Sequence, residues 1–151
     1  EATRSEKVYL TKYPGKSGDP RDNNLCIVRL SEIYLNAAEA GFKLGGDKSS
    51  KGREYLNEIV SRRTNPAKTV EAAEFTLERI LKERRKELVG EGLALYDYTR
   101  NKLTIKREGG WHLNTIKDAQ ANSIAPNDLR LALPIPQTEI DANPNMQQNP
   151  R

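Results

Sequence analysis

VRLSEIYLNAAEAGFKLGGD, residues 28–47, is the stretch on which the fold turns. Leu30, Ile33, Tyr34, Ala37, Ala38 and Gly41 recur at three- and four-residue spacing, which places them on one side of a helix with Glu32 and Glu39 opposite. Ala37, Ala38 and Gly41 are small enough to let another helix approach closely, and Gly45 and Gly46 end the pattern. Ser49 or Ser50 then stands where a second helix needs a cap. Tyr55, Leu56, Ile59 and Val60 repeat the periodicity until Asn65 and Pro66 stop it. Two helices joined by a short GGD turn form an antiparallel hairpin, the unit from which helical repeat arrays are stacked. No fixed-period repeat is evident in the sequence itself.

Outward from the hairpin, a third helix is expected from about Thr76, with Leu77, Ile80, Leu81 and Leu88 as its buried stripe. At about 100° per residue, Arg84 falls near the middle of that stripe and Glu87 and Glu91 at its margin. A buried guanidinium keeps its charge and must find carboxylates or carbonyls. After Gly90 and Gly92, LALYDYTRNK either continues this helix or forms a new short one. On the amino-terminal side, KVYLTKY alternates like a short strand before the turn-rich PGKSGDPRDNN. The expected organisation is a single mainly α domain. Residues 1–25 form a strand and loop, 26–100 a helical core, 101–130 a long loop and 131–151 an extended tail rich in proline. In that tail Pro136 can open a single helical turn through Ile140.

Composition excludes several classes. The 151 residues suit one domain, and no apolar run approaches the roughly 20 residues of a spanning helix. The formal charge of +4 comes from lysines and arginines interspersed with acids, the pattern of a solvated face and not of a nucleic-acid grip. The run Arg79, Lys82, Arg84, Arg85 and Lys86 points in several directions around its helix. Cys26 is the only cysteine, so no internal disulfide forms, and it reads as a small buried hydrophobe. His112 is the only histidine, which rules out the Glu-x-x-His motifs of helical di-iron sites, and no metal or cofactor is expected. Glu83, Glu87 and Glu91 recur at every fourth position among arginines, which favours ion pairs. Ion pairing depresses carboxylate pKa values and makes poor general acids. The chain begins at Glu1 without a methionine or a signal segment, as expected of a processed chain or an excised fragment.

The long loop holds the only tryptophan, Trp111, beside His112 and Asn114. An indole can stack on the CH face of a pyranose while His112 and Asn114 hydrogen-bond hydroxyls. Equally, Trp111 can plug the loop onto the helical core.

Taken in order, VRLSEIYLNAAEA (28–40), YLNEIVSRR (55–63), ILKERRKELVGEGLALYDYTR (80–100) and LPIPQTEIDANPNMQQNP (133–150) resemble the carboxy-terminal part of the SusD/RagB family. The resemblance implies tetratricopeptide-like helix pairs with a ligand site carried on loops. It implies a surface lipoprotein that binds glycans or other nutrients without cleaving them, at the extracellular face of the outer membrane. Such a protein delivers its ligand to a TonB-dependent transporter and touches the membrane only through a lipid anchor absent from this chain. It also suggests that Asp97 and Arg100 join Arg84, Glu87 and Glu91 in one structural ion-pair network. This sequence departs from the family at Leu93 and Ala94, where a bulky or basic residue and a tryptophan-rich stretch are frequent. The alternative is a tetratricopeptide-like module that binds protein through its helical groove.

Overall fold

The reversal at Gly45 and Gly46 organises the first half of the molecule. The computed structural model describes residues 12, 13, 15–19, 21–24, 26–108 and 122–150. In it helix α1 (Leu30–Leu44) ends at Gly45, and α2 (Gly46–Arg63) begins at once. Both glycines have positive φ, 69° and 52°, a region that L side chains avoid. Gly45 therefore serves as the C-cap of α1 and the N-cap of α2. Ser49 and Ser50, expected as caps, lie inside α2 instead, and the Ser49 amide already donates to the Gly45 carbonyl at 3.2 Å. A turn this tight leaves no residues over for a side-chain cap.

α1 and α2 touch backbone to backbone at Gly41 and Gly52. A Cβ on Gly52 would lie 2.9 Å from the Ala38 carbonyl oxygen and 3.0 Å from the Gly41 Cα, and one on Gly41 would meet the Lys48 carbonyl oxygen at 2.5 Å. Around this contact sit Leu35, Ala38, Leu56, Ile59, Val60, Val70, Phe75, Ile80 and Leu88. Edge-to-face pairs Tyr34–Tyr55 and Phe42–Phe75, each with ring centroids 5.7 Å apart, tie α1 to α2 and to the segment after it.

The glycine contact also fixes how α1 is rolled, and this corrects the sequence expectation. Leu35, Ala38 and Gly41 face inward, whereas Leu30 is 69% and Ile33 50% exposed. Glu39, expected on the outer side, is 3% exposed and pairs with Lys43 at 2.8 Å. Apolar residues occupy so much of this helix's circumference that periodicity alone does not choose the arc that packs.

After α2 the chain is pinned by Asn57, whose side-chain oxygen accepts from the Val70 amide at 2.7 Å while its Nδ2 donates to the Val70 carbonyl at 3.3 Å. Thr76 caps α3 (Leu77–Glu87) by accepting from the Arg79 amide at 3.2 Å. Ile80, Leu81 and, among them, Arg84 are buried. Gly90 and Gly92, with φ of 79° and 77°, break the chain away from α3, so α4 (Ala94–Arg100) is a separate short helix. Cys26, which precedes α1 and lies on none of its faces, is exposed, not buried, and its thiol donates to the Val28 carbonyl at 3.2 Å.

The chain divides into two compact units, Glu1–Ala94 and Leu95–Arg151. In the second, β1 (Ile105–Lys106) pairs antiparallel with β2 (Ser123–Ile124), Ile105 opposite Ile124 and Lys106 opposite Ser123. The Arg107 amide extends the ladder to the Asn122 carbonyl at 2.9 Å. The stretch expected as one long loop is thus closed at its base by a hairpin ladder.

A 3-10 helix, Leu129–Leu131, and helix α5 (Gln137–Ala142), which Pro136 opens, follow. α5 runs past the single turn expected from the sequence. The extended segment before it is held by amide side chains. Gln148 accepts from the Ile135 amide at 2.8 Å and donates to the Ile135 carbonyl at 3.0 Å, and Asn149 donates to the Leu133 carbonyl at 2.7 Å. Prolines at 134 and 136 lack amides to donate, so side chains replace a partner strand. The strand expected in residues 7–13 lies outside the described residues except for Lys12 and Tyr13, which are not in a strand. No helix among the described residues is long and apolar enough to cross a membrane.

Gly52→Ala is expected to destabilise the first unit by about 1–3 kcal/mol, because the backbones must separate to admit a methyl group. A urea titration followed by helical circular dichroism measures it; an unchanged midpoint would show that the Gly41–Gly52 contact does not constrain the pair.

Candidate functional site

The C-terminal turn of α3 concentrates the charge of the first unit. Glu87 accepts from Arg29 Nη1 at 2.7 Å and from Arg63 Nε and Nη2 at 2.8 and 2.9 Å. Glu91 accepts from Arg29 Nε at 2.9 Å and from Lys12 Nζ. Arg29 Nη2 also donates to the Glu87 carbonyl, and Lys12 to the carbonyls of Glu87 and Val89 at 3.3 and 3.1 Å. Two cations therefore satisfy carbonyls that the end of α3 leaves without helical partners, where the helix dipole also favours positive charge.

The bidentate hydrogen bond from Arg63, reinforced by Arg29, holds the Glu87 carboxyl down at about 2 even though burial opposes its ionisation. A carboxylate so saturated with donors stays ionised at neutral pH and has no proton to give.

Arg29 stands at the start of α1, Arg63 at the end of α2 and Glu87 at the end of α3, so these bonds knot three helix termini together. Arg84, one turn earlier on α3, is 3% exposed and donates to Asn36 Oδ1 at 2.6 Å. Glu83 accepts from Arg79 at 2.6 Å. Asp97 and Arg100 pair with each other at 2.7 Å and belong to the second unit, while Arg84, Glu87 and Glu91 belong to the first. Sequence reasoning found the acids but missed Arg29, Arg63 and Lys12. Their only signal was the need of buried acids for cations from elsewhere in the chain.

Beside this knot lies a concavity of about 360 Å³ lined by Arg29, Leu30, Ser31, Tyr34, Glu58, Ile59, Arg62 and Arg63. Leu30, Tyr34 and Ile59 contribute apolar surface to it, and among its charged residues Arg62 pairs with Glu58 at 2.9 Å. Ser31, 8% exposed, contributes a buried hydroxyl with no hydrogen-bond partner among the described residues. Trp111, His112 and Asn114, the ligand-binding residues expected from the sequence, lie outside the described residues. The β1–β2 ladder joins the two ends of the stretch that carries them.

A mainly helical chain built on a tight helix hairpin, with a half-buried arginine–glutamate knot and a side-chain-pinned proline segment, matches the SusD family model over residues 4–151. The chain belongs to the SusD family. It is similar to a SusD superfamily protein of Bacteroides thetaiotaomicron VPI-5482, at 64% identity and a TM-score of 0.89 over 97% of this chain and 32% of that one. A SusD superfamily protein of Bacteroides vulgatus ATCC 8482 matches at 47% identity and a TM-score of 0.77, over 85% of this chain and 28% of that one. A third structure, a Bacteroides vulgatus ATCC 8482 protein that carries sugar binding in its name, matches at 44% identity and 0.77, over 94% of this chain and 32% of that one. The chain thus spans about a third of the length of these solved relatives. No curated protein matches.

Two outcomes are expected from this geometry. With its folded pKa near 2 against 4.5 for the free group, Glu87 contributes stability that is fully present above pH 4.5 and is lost as pH falls toward 2. Glu87→Gln should therefore be less stable than the parent chain at pH 7, and the gap should narrow steadily below pH 4.5. A gap independent of pH in urea titrations would contradict the ion-pair account. Arg84→Ala should cost about 1.5–3 kcal/mol in thermal or urea unfolding, since the buried guanidinium loses its charged hydrogen bond to Asn36 Oδ1.

Proposed function

We propose that this chain is the carboxy-terminal part of a surface lipoprotein that captures glycans at the extracellular face of the outer membrane and passes them to a TonB-dependent transporter. Membership of the SusD family over residues 4–151 carries this reading. The 44% identity to a relative with sugar binding in its name supports the ligand class. Capture is non-covalent: aromatic stacking and hydroxyl hydrogen bonds supply the affinity, and no bond is broken.

Within this chain the capture residues are Trp111, His112 and Asn114, on the stretch whose ends the β1–β2 ladder brings together. Loops held at their base by a rigid scaffold are the usual carriers of binding residues, because the scaffold removes part of the ordering cost. The knot of Arg29, Arg63, Glu87 and Glu91 is scaffold in this reading and touches no sugar. Glu87 is held ionised by its arginines, which disqualifies it as the proton donor a glycosidase needs.

Titration of the intrinsic fluorescence of Trp111, the only indole, against a panel of plant, host and microbial glycans tests the proposal. A saturable shift with some glycans and not others is expected, with binding lost in Trp111→Ala by calorimetry and no reducing sugar released. Silence across the panel, with emission already blue-shifted, would make Trp111 a packing residue and remove the proposed site from this chain.

A further inference from the structure

Lys12 and Arg29 stand at the two ends of the segment that leads into α1, and both donate to the same carboxylate oxygen, Oε1 of Glu91. The loop between them is tied to itself. The Gly15 amide donates to Asn23 Oδ1 at 2.9 Å, the Lys16 amide to the Asp22 carbonyl at 2.9 Å and the Asp22 amide to the Asp19 carbonyl at 3.0 Å. Gly15 makes this closure possible, since its φ is 79° and a Cβ there would meet the Asp19 carbonyl oxygen at 2.1 Å. A loop whose ends lie close together and whose body is held by its own bonds is a compact surface unit. None of its described residues belongs to the apolar core, and Lys16, Ser17, Gly18, Arg21, Asp22 and Asn24 are exposed.

The two ends are held unequally. Arg29 occupies the N-cap of α1, and its guanidinium donates to the carboxylates of Glu87 and Glu91 and to the Glu87 carbonyl. Lys12 brings a single ammonium, which donates to the Glu91 carboxylate and to the carbonyls of Glu87 and Val89 at 3.3 and 3.1 Å. Beside it the Tyr13 hydroxyl donates to the Gly90 carbonyl at 3.4 Å. A guanidinium fork is pre-organised for several acceptors at once, whereas an ammonium is a point charge on a flexible stem. The Lys12 end is therefore the one that releases.

We infer that this loop is a strap latched by Lys12, which opens from its amino-terminal end while α1, α2 and α3 stay folded, and which in opening frees the turn that follows α3. Segments that bury little apolar surface are the ones that open locally, below the free energy of global unfolding. The acceptors that Lys12 and Tyr13 satisfy lie on residues 87, 89, 90 and 91, where Gly90 and Gly92 turn the chain away from α3 toward α4. With the latch open, the carbonyls of Val89 and Gly90 pass to water. The turn then keeps the bond from the Glu91 amide to the Leu88 carbonyl at 3.1 Å, and Arg29 keeps its hold on Glu91. Glu87 still binds Arg29 and Arg63, so the knot of helix ends does not depend on the strap. Lys12 thus couples the order of two stretches that lie 79 residues apart in the chain.

Hydrogen exchange followed by mass spectrometry on the full-length native polypeptide tests this, with Lys12→Met and Lys12→Arg beside the parent. Lys12→Met should raise exchange in residues 15–24 and in residues 88–93 together, by roughly ten- to a hundredfold, the effect of losing a charged hydrogen bond on a local opening equilibrium. The three helices should keep their protection, and Lys12→Arg should restore it in both stretches. Faster exchange throughout α1, α2 and α3 would show that the loop opens only when the unit unfolds, and would overturn the inference. Faster exchange in residues 15–24 alone would show that the strap does not hold the turn, and no change in either stretch would show that Lys12 is not a latch; each overturns it as well.

Discussion

One buried carboxylate, Glu87, carries the arrangement of the first unit. It receives Arg29 from the start of α1 and Arg63 from the end of α2 while sitting at the end of α3 itself. Helix ends are where backbone groups lack partners, and three such ends are brought together here around one acid. Glu91 adds a second carboxylate, and through Lys12 it straps the amino-terminal segment to the same turn. A buried charge without partners would cost several kcal/mol, so each member makes the others necessary.

The Gly41–Gly52 contact is the complementary constraint. The ion-pair knot fixes where the helices end, and the glycines fix how closely α1 and α2 approach and which arc of α1 turns inward. The choice of Leu35 and Ala38 for the core leaves Leu30, Ile33 and Leu44 outside. A surface that looks wasteful in an isolated unit is then a consequence of the roll that the glycines impose.

The second unit is held by different means. It has short helices and a two-residue ladder, so it relies on side chains that imitate backbone partners: Gln148 and Asn149 on residues 133–135, and Asp128 on the Arg130 amide. Arg130 in turn holds the Asp128 carboxyl down at about 2, which keeps that cap ionised. Polar pins of this kind order a segment that cannot form regular structure. The antiparallel ladder does the same for the ends of the stretch that carries Trp111. Family membership, with a relative that carries sugar binding in its name, supports the proposal that this stretch takes part in glycan capture.

Local chemistry made much of this legible in the sequence. Paired glycines, a helix start near Thr76 and the period of α1, α2 and α3 act over a few residues, and four ordered motifs were enough to suggest the SusD family. The position of Arg84 in an apolar stripe likewise foretold a buried guanidinium, because its wheel angle follows from sequence alone. Which cations would meet Glu87 and Glu91 was not readable, since Arg29 lies 58 residues from Glu87 and Arg63 lies 24. Nor did the sequence reveal which arc of α1 packs, that Gly52 opposes Gly41, or that a hairpin ladder closes residues 101–130. These are pairings between distant parts of the chain, and only tertiary structure chooses among partners that local periodicity leaves equivalent.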